Sequence, residues 1–222
     1  MTERLRIDRL RVAAGGRVVV DVADFGVAAG ELLVAVGSAG SGKTTLAAAL
    51  TGSVPSDGKV FVDGAPLIGP PSRRRRTGLA GAIRDGNRIA GCTVAEALHL
   101  ASGGSKRENE ALQRFLPLSS RRHVAAEALS GGEQQLLQVA AAWCAAAAVL
   151  VLDSPTVGLA ADVAKQVAAL AIEEAERGIA VIWLEQDRRE APAEPRAELS
   201  GGTLSALGVR PASEAGSHQD RV

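Results

Sequence analysis

The chain has 222 residues, of which 46% are hydrophobic, and its 25 Lys and Arg residues balance its 25 Asp and Glu residues. This length and apolar content suit one domain with a sizeable core. The near-zero net charge argues against nucleic acid as the main partner. Cys92 and Cys144 match no metal-binding spacing and are expected to be reduced. The charged start MTERLR predicts that no signal peptide is present.

The first predicted elements are β-strands. Residues 5–12 and 17–22 have the pattern of antiparallel strands in a small β-subdomain, and residues 59–67 form a hairpin with an Asp63-Gly64 turn. Residues 32–36 (LLVAV) are a short continuous apolar run, which is typical of a buried parallel strand. The sequence therefore predicts an antiparallel sheet beside a parallel core.

A glycine-rich loop follows this buried strand and precedes a predicted helix over residues 43–50. It fits the spacing G-x-x-x-x-G-K-[ST]. Glycines let successive N–H groups point inward around an anion, Lys43 can reach phosphate oxygens, and the Thr44 hydroxyl suits Mg²⁺. A Gly/Ser surface turn is the alternative, but the strand and helix at its flanks favour a phosphate-binding loop. The predicted phosphate-binding residues are Gly37, Ser38, Ala39, Gly40, Ser41, Gly42, Lys43, Thr44 and Thr45.

Two stretches could suggest a membrane contact. The four arginines at 73–76 are expected in a solvated loop, although contact with lipid headgroups or a partner's loop stays open. Residues 136–152 are apolar, but the run is short for a span, contains Gln138 and ends at Asp153. A buried helix leading into a buried strand explains this run better.

The middle of the chain is predicted to be helical. Residues from about 84 to 128 hold one helix near 93–101 and another near 108–115. Thr93 is a suitable N-cap, and Glu96 three residues later completes a capping box.

Two further motifs follow. Residues 129–133 read LSGGE and lead into an Ala-rich helical stretch, so the Ser130 hydroxyl and the Gly131 and Gly132 amides can face a phosphate at a helix N-terminus. Residues 147–152 (AAVLVL) predict a second buried strand that ends in Asp153. A carboxylate at the carboxyl edge of a parallel strand beside a phosphate-binding loop is a second anchor for Mg²⁺.

The phosphate-binding loop, the LSGGE signature and Asp153-Ser-Pro-Thr-Val-Gly-Leu159, in this order, resemble the ABC ATPases, the nucleotide-binding domains of ABC transporters. The resemblance runs from about residue 5 to 208. It implies an α/β P-loop NTPase fold of the ABC ATPase type, with a mostly parallel core sheet, an N-terminal antiparallel β-subdomain and a compact helical subdomain at about 84–128. We expect one domain over residues 1–208 and a disordered tail at 209–222.

The resemblance also implies ligands and partners. ATP and Mg²⁺ are the expected cofactors, with Thr44 and Asp153 as the metal-binding residues. A separate membrane permease is the expected partner, at the inner face of the cell membrane, and the chain itself is expected to be cytoplasmic and peripheral. A second LSGG at residues 199–202 precedes no helix, so we expect it to lie in a terminal β-hairpin with Gly201-Gly202 as its turn.

Two catalytic positions depart from the family pattern. Ser154 stands where active members carry a glutamate that polarises the attacking water, and loss of a general base typically costs about 100- to 10,000-fold in rate. Gln186 stands where most members carry a histidine that contacts the γ-phosphate, although some amino-acid importers look similar there. The pattern suggests that ATP binding is retained and hydrolysis at the chain's own site is weak.

Other positions also differ from the family pattern. Arg84 lies near the expected place of a coupling glutamine, and Ala160 replaces an aspartate of the dimer-contact loop. The family stacks adenine on an aromatic side chain near residues 12–14, but Phe25 is the only aromatic residue before the phosphate-binding loop.

The signature is intact, and in ABC proteins it completes the ATP site of a second cassette in a head-to-tail dimer. A homodimer would carry Ser154 in both sites. In a heterodimer with a second, competent ABC ATPase, Ser130, Gly131, Gly132 and Glu133 would complete the partner's site. We therefore expect the catalytically weak half of a heterodimer that drives transport.

Two other functions stay open. One is an active homodimeric ATPase that uses another base, for which Glu185 is the nearest candidate. The other is a nucleotide-dependent regulatory module that does not transport. The sequence does not predict the transported substrate, because specificity would lie in the permease.

Overall fold

The computed structural model describes residues 3–84, 86 and 88–207. It contains two sheets flanked by helices. The elements in chain order are β1 (Glu3–Ala14), β2 (Arg17–Ala28), β3 (Leu32–Val36), α1 (Lys43–Thr51), β4 (Asp57–Val62), β5 (Ala65–Pro66), α2 (Pro71–Arg76), β6 (Leu79–Ala82), α3 (Val94–Ser102), α4 (Arg107–Arg114), α5 (Leu116–Ser120), α6 (Gly131–Ala145), β7 (Val149–Asp153), α7 (Ala161–Glu176), β8 (Ala180–Glu185), β9 (Ala197–Ser200) and β10 (Thr203–Ala206).

The smaller sheet is antiparallel, with strand order β2-β1-β4-β5. Leu5, Ile7, Leu10 and Val12 of β1 are buried, while most of the residues between them are exposed, as one-sided burial of a strand requires. The predicted strands and the turn between β4 and β5 are therefore confirmed, and β2 continues six residues beyond the predicted end.

The larger sheet has six strands in the order β10-β9-β3-β8-β7-β6. All neighbouring pairs are parallel except β10 with β9, which confirms the predicted mostly parallel core. All five residues of β7 and all six of β8 are buried, as expected for strands covered on both faces. Because β3, β8 and β7 are adjacent, their carboxyl ends bring Gly37, Glu185 and Asp153 to one edge.

Helices α3, α4 and α5 pack on the long helix α6. Phe115 and Trp143 meet edge to face there, with ring centroids 6.4 Å apart. The predicted capping box begins α3: Thr93 Oγ1 accepts from the Glu96 N–H, and the Glu96 carboxylate accepts from the Thr93 N–H at 2.8 Å. The apolar run at 136–152 is divided between α6 and β7, as predicted.

The prediction of a solvated loop at residues 73–76 is wrong, because these residues belong to α2. Pro71 begins this helix, where its missing N–H costs no hydrogen bond. Arg74 is buried and donates to the carbonyls of Ala49, Leu50 (2.9 Å) and Gly69 (2.9 Å). The arginine therefore satisfies carbonyl groups at the end of α1, which gives the helix a structural reason to form.

In the part of the chain that the structure describes, no helix is both long and apolar enough to cross a membrane. The tail predicted at residues 209–222 lies outside the described residues.

Candidate functional site

The loop between β3 and α1 is shaped by glycines and ends at the first turn of a nine-residue helix. Gly40 and Gly42 have φ values of 78° and 104°, which other residues adopt at a cost. Ser38, Ala39 and Gly40 are exposed, whereas Ser41 and Lys43 are buried. The loop thus presents its central backbone to solvent at a helix N-terminus, an arrangement suited to binding an anion.

Lys43 is folded over this loop. Its ammonium group donates to the carbonyls of Gly37 at 2.6 Å and Ser38 at 2.8 Å, and lies 3.4 Å from the Ser41 hydroxyl. Burial lowers the pKa of Lys43, while the negative charges of Asp153 and Glu185 act in the opposite direction. The cation is therefore held at the centre of the loop, beside two acidic strand ends.

Asp153 is fully buried at the end of β7. Its Oδ2 accepts from the Arg84 N–H at 3.2 Å, while Oδ1 is buried and has no hydrogen-bond partner among the described residues. Burial raises the pKa of Asp153, and the Thr44 hydroxyl, the Arg84 amide and the Lys43 charge oppose that rise. A buried carboxylate oxygen with an open coordination position, beside the hydroxyl of Thr44, fits a hard divalent cation such as Mg²⁺.

Ser154 follows directly and is also buried, with 1% of its surface exposed. Its backbone has φ 44°, a left-handed conformation that is uncommon for a residue other than glycine. Its N–H donates to the Leu184 carbonyl at 2.9 Å, so the turn after β7 is tied to β8. The side chain supplies a hydroxyl at this position and no carboxylate.

Glu185, at the end of β8, is the second buried carboxylate of this edge. Its Oε1 accepts from the Gln186 N–H at 2.8 Å, and its Oε2 is buried without a hydrogen-bond partner in the described part of the chain. Burial raises the pKa of Glu185, the Gln186 amide opposes the rise, and the charges of Glu190 and Asp153 add to it. The side chain of Gln186 is exposed.

The signature residues begin α6. Ser130 is the N-cap: its Oγ accepts from the Glu133 N–H at 3.3 Å, and its own N–H donates to the Glu133 carboxylate at 2.9 Å. These hydrogen bonds with Ser130 lower the pKa of Glu133. A Cβ on Gly131 would meet nothing within 4 Å, whereas one on Gly132 would lie 2.5 Å from the Gly158 carbonyl oxygen. Gly131 is therefore open to a ligand, and Gly132 allows close packing on the segment after Asp153.

The structure brings the predicted residues together in two groups. Lys43, Thr44 and Asp153 share the edge formed by β3, β8 and β7. Ser130 to Glu133 lie at the start of α6, where Gly132 packs against Gly158 in the turn after β7. Among the described residues, no hydrogen bond joins the two groups. The second LSGG lies in the β9–β10 hairpin, with Gly201 and Gly202 as its turn, as predicted.

One contribution to the site was not anticipated from the sequence. The Gly202 N–H of the β9–β10 turn donates to the Ser41 carbonyl at 3.0 Å, and the Leu199 carbonyl oxygen packs against Gly37. The terminal hairpin therefore supports the phosphate-binding loop. The motif spacing contains no signal for this contact, because it joins residues about 160 positions apart.

A glycine loop between a parallel strand and a helix, with an acidic strand end beside it, defines an α/β protein of the P-loop nucleotide-binding class. The family described as ABC transporter matches residues 20–157, which is more than half of the chain. The chain therefore belongs to this family, as an ABC transporter ATP-binding domain.

Curated relatives are consistent with this assignment. The chain is 38% identical over 166 residues to the Fe(3+) ions import ATP-binding protein FbpC of Streptomyces coelicolor, an alignment that covers 68% of this chain and 45% of that protein. It is 34% identical over 211 residues to the hemin import ATP-binding protein HmuV of the same organism, covering 90% of this chain and 75% of the relative. It is 31% identical to the thiamine import ATP-binding protein ThiQ of Cereibacter sphaeroides, in an alignment that covers 84% of this chain and 83% of that protein.

Solved structures agree on the fold. An ATP-binding subunit of an ABC transporter superposes with a TM-score of 0.77 at 22% identity, over 93% of this chain and 90% of that one. A bacterial Atm1-family ABC exporter with ATP bound gives a TM-score of 0.74 at 19% identity, over 90% of this chain and 37% of that one. The predicted ABC ATPase fold is therefore confirmed.

Proposed function

We propose that this chain is the ATP-binding subunit of an ABC import system, placed at the cytoplasmic face of the membrane beside a separate permease. The observation that carries the nucleotide part is the buried Oδ1 of Asp153, which has no hydrogen-bond partner among the described residues and lies next to Thr44 and the Lys43 ammonium group. The import role is supported by the printed functions of the curated relatives.

In this proposal the loop from Gly37 to Thr45 wraps the phosphates of ATP. Lys43, now bonded to two loop carbonyls, exchanges these bonds for phosphate oxygens. Thr44 and Asp153 hold Mg²⁺, which when bound neutralises phosphate charge. Gln186 is exposed beside the site, where it can donate a hydrogen bond to the terminal phosphate.

The signature residues serve a second cassette in a head-to-tail dimer. The open face of Gly131 and the helix N-terminus at Ser130 suit a phosphate from a partner chain. Ser154 offers no base for the attacking water, so the chain is proposed as the catalytically weak half of a heterodimer. The partner would supply its own glutamate at the site that this chain's signature completes.

One observation favours an alternative, an active homodimer. Glu185 lies on the strand between the phosphate-binding loop and Asp153, and its Oε2 is buried without a partner in the described part of the chain. A carboxylate there is close to the charges of Lys43 and Asp153. It could take the place of the missing base if ATP binding turned it toward the attacking water.

The permease is proposed to dock in a cavity of about 560 Å³ between α1, α2, β6 and the helices α3 and α6. Thr44 and Arg84 lie among its lining residues. Because Arg84 donates its N–H to Asp153, an occupant of the cavity would contact the residues that position the metal-binding carboxylate. Binding of the partner in the cavity would therefore be coupled to the nucleotide site through Arg84 and Asp153.

The test is Mg²⁺-dependent ATP turnover and ATP binding by the purified chain, with Lys43→Ala as the control. Lys43-dependent binding with turnover no higher than that of the control is the expected result. Ordinary, Lys43-dependent turnover would overturn the weak-half proposal and favour the homodimer with Glu185. Absence of any Lys43-dependent binding would overturn the nucleotide site itself.

A further inference from the structure

Arg84 lies at the same edge of the large sheet as the proposed metal-binding residues. It follows β6, which pairs in parallel with β7, and Ala82 of β6 stands opposite Leu152 of β7. Because the carboxyl ends of parallel strands meet at one edge, the chain after β6 runs beside Asp153. The Arg84 N–H donates to Asp153 Oδ2 at 3.2 Å. The sheet and this hydrogen bond therefore place Arg84 next to the metal-binding carboxylate.

The charge of Arg84 acts on the residues of the nucleotide site. Burial lowers the pKa of Lys43, and the positive charge of Arg84 lowers it further, against the charges of Asp153 and Glu185. Burial raises the pKa of Asp153, and the charge of Arg84 is among the influences that oppose this rise. Arg84 also lines the cavity of about 560 Å³ together with Thr44. Its side chain is therefore close to the lysine and to both proposed metal-binding residues.

The charges of the site balance only when Arg84 is included. Lys43 is the cation of the phosphate-binding loop, whereas Asp153 and Glu185 are buried carboxylates beside it. With both carboxylates ionised, these three groups carry a net negative charge, which would repel the phosphates of ATP. Arg84 brings the net charge of the group to zero. The arginine therefore makes the site less repulsive to a polyanion before any metal binds.

A guanidinium group can also bind phosphate directly. Mg²⁺, when bound, neutralises phosphate charge. An arginine side chain carries a permanent charge and donates from a planar fork that matches two phosphate oxygens. The glutamine that the family pattern places near this position carries no charge. Arg84 thus brings to this edge a chemical property that a glutamine would not supply.

We infer that Arg84 binds the γ-phosphate of ATP and supplies part of the positive charge that Mg²⁺ provides, so that ATP binding by this chain depends less on Mg²⁺ than it would with a neutral residue at position 84. The inference rests on the proposed function, because it concerns the same nucleotide site. Such a property suits a subunit that holds nucleotide and hydrolyses it weakly, since ATP would stay bound whether or not the metal needed for hydrolysis is present.

The experiment measures the affinity of the full chain for ATP and for ADP by isothermal titration calorimetry, with Mg²⁺ and again with EDTA. The test variant is Arg84→Gln, which removes the charge and keeps a side chain that forms hydrogen bonds. Arg84→Lys keeps the charge without the planar fork. The matched control is Arg75→Gln. Arg75 lines the same cavity, but in the described part of the chain its charge is not among those that act on Lys43 or Asp153.

In EDTA, Arg84→Gln is expected to bind ATP about tenfold more weakly than the wild type, which is the scale of one charge pair at a partly exposed site. With Mg²⁺ the two proteins should differ much less, because the metal then neutralises the phosphates. ADP has no γ-phosphate, so its affinity should fall less than that of ATP. Arg84→Lys should recover part of the ATP affinity, and Arg75→Gln should bind ATP like the wild type.

Three results with the variants would overturn the inference and leave the nucleotide site in place. One is an unchanged ATP affinity of Arg84→Gln in EDTA, and another is an equal loss in Arg75→Gln. The third is an equal loss for ATP and ADP, which would mean that Arg84 does not act on the γ-phosphate.

The wild type alone also tests the inference, so the outcome does not depend on the folding of Arg84→Gln. A wild-type chain that binds ATP with Mg²⁺ and binds none in EDTA would overturn it. Failure of the proposed nucleotide site would look different, because the wild type and Lys43→Ala would then bind ATP equally, or not at all, in both buffers.

Discussion

Gly202 donates its backbone N–H to the carbonyl oxygen of Ser41 at 3.0 Å, so the last hairpin of the described chain holds the glycine loop of the proposed nucleotide site. The contact continues into the small sheet, because the Gly202 carbonyl accepts from the Asp21 N–H at 2.9 Å. Three distant parts of the chain are thereby fixed to one another through a single glycine.

Substitution of Gly202 by alanine is expected to weaken ATP binding as well as stability. Its φ is 83°, and an added Cβ would lie 2.2 Å from the Val19 carbonyl oxygen. The turn must therefore shift relative to Val19 in β2, which disturbs its hydrogen bond to Ser41 and which we expect to cost about 1–3 kcal/mol in unfolding free energy. Urea unfolding and ATP titration of the same preparation measure the two effects.

Gly201→Ala is the matched control. Gly201 also has a positive φ, 54°, but a Cβ there would meet nothing within 4 Å. The Gly201→Ala variant should therefore have a backbone strain like that of Gly202→Ala, and its ATP affinity should be unchanged. Equal loss of ATP affinity in both variants would contradict a specific role for the Gly202–Ser41 contact.

Ser154→Glu is expected to raise ATP turnover by about 100- to 10,000-fold, which is the range that a general base contributes. The substitution places a carboxylate directly after Asp153. Because Ser154 is buried and has φ 44°, any substitution disturbs it, so Ser154→Gln serves as a control of equal size without the charge. Steady-state ATP turnover distinguishes the Glu and Gln variants. Equal rates in the two would show that the absence of a base does not limit the rate of hydrolysis at this site.

Sequence and structure agree where the chemistry is local. The loop around Lys43, the strand ending at Asp153 and the capping box of Thr93 with Glu96 each follow from residues close together in the chain. The α2 helix was missed, because four adjacent arginines resemble a solvated loop until one of them is seen to bond carbonyl groups from another helix. The support of Ser41 by Gly202 was missed for the same reason, since it depends on packing between distant strands.

Glu185→Gln is expected to stabilise the protein without nucleotide at neutral pH. Burial raises the pKa of Glu185 in the folded state, so folding favours the protonated form. Glu185 therefore makes its whole contribution to stability below the pKa of an unfolded glutamate. This contribution is lost as pH rises through the pKa that Glu185 has in the folded protein. Glutamine carries no such penalty and can still accept from the Gln186 N–H.

The gain in unfolding free energy from Glu185→Gln should therefore appear between mildly acidic and neutral pH. It should vanish below the usual pKa range of glutamate. Urea unfolding of both proteins across that range measures it. A destabilised variant at neutral pH would mean that the charged carboxylate is stabilised by the Lys43 side of the site more than burial disfavours it.

Substitutions of the two signature glycines, Gly131 and Gly132, separate an effect on folding from an effect on dimer assembly. An added Cβ on Gly132 would lie 2.5 Å from the Gly158 carbonyl oxygen, so Gly132→Ala should push α6 away from the turn after β7 and destabilise the monomer by about 1–3 kcal/mol. Gly131→Ala should leave the unfolding free energy within about 1 kcal/mol of wild type, because nothing lies within 4 Å.

If Gly131 faces a phosphate held by a second cassette, its methyl group would occupy the space that the phosphate needs. Gly131→Ala should then leave ATP binding to the single chain intact and reduce MgATP-dependent dimerisation, measured by light scattering with the wild type alongside. Undiminished dimerisation of a well-folded Gly131→Ala variant would remove this face of α6 from the proposed ATP sandwich.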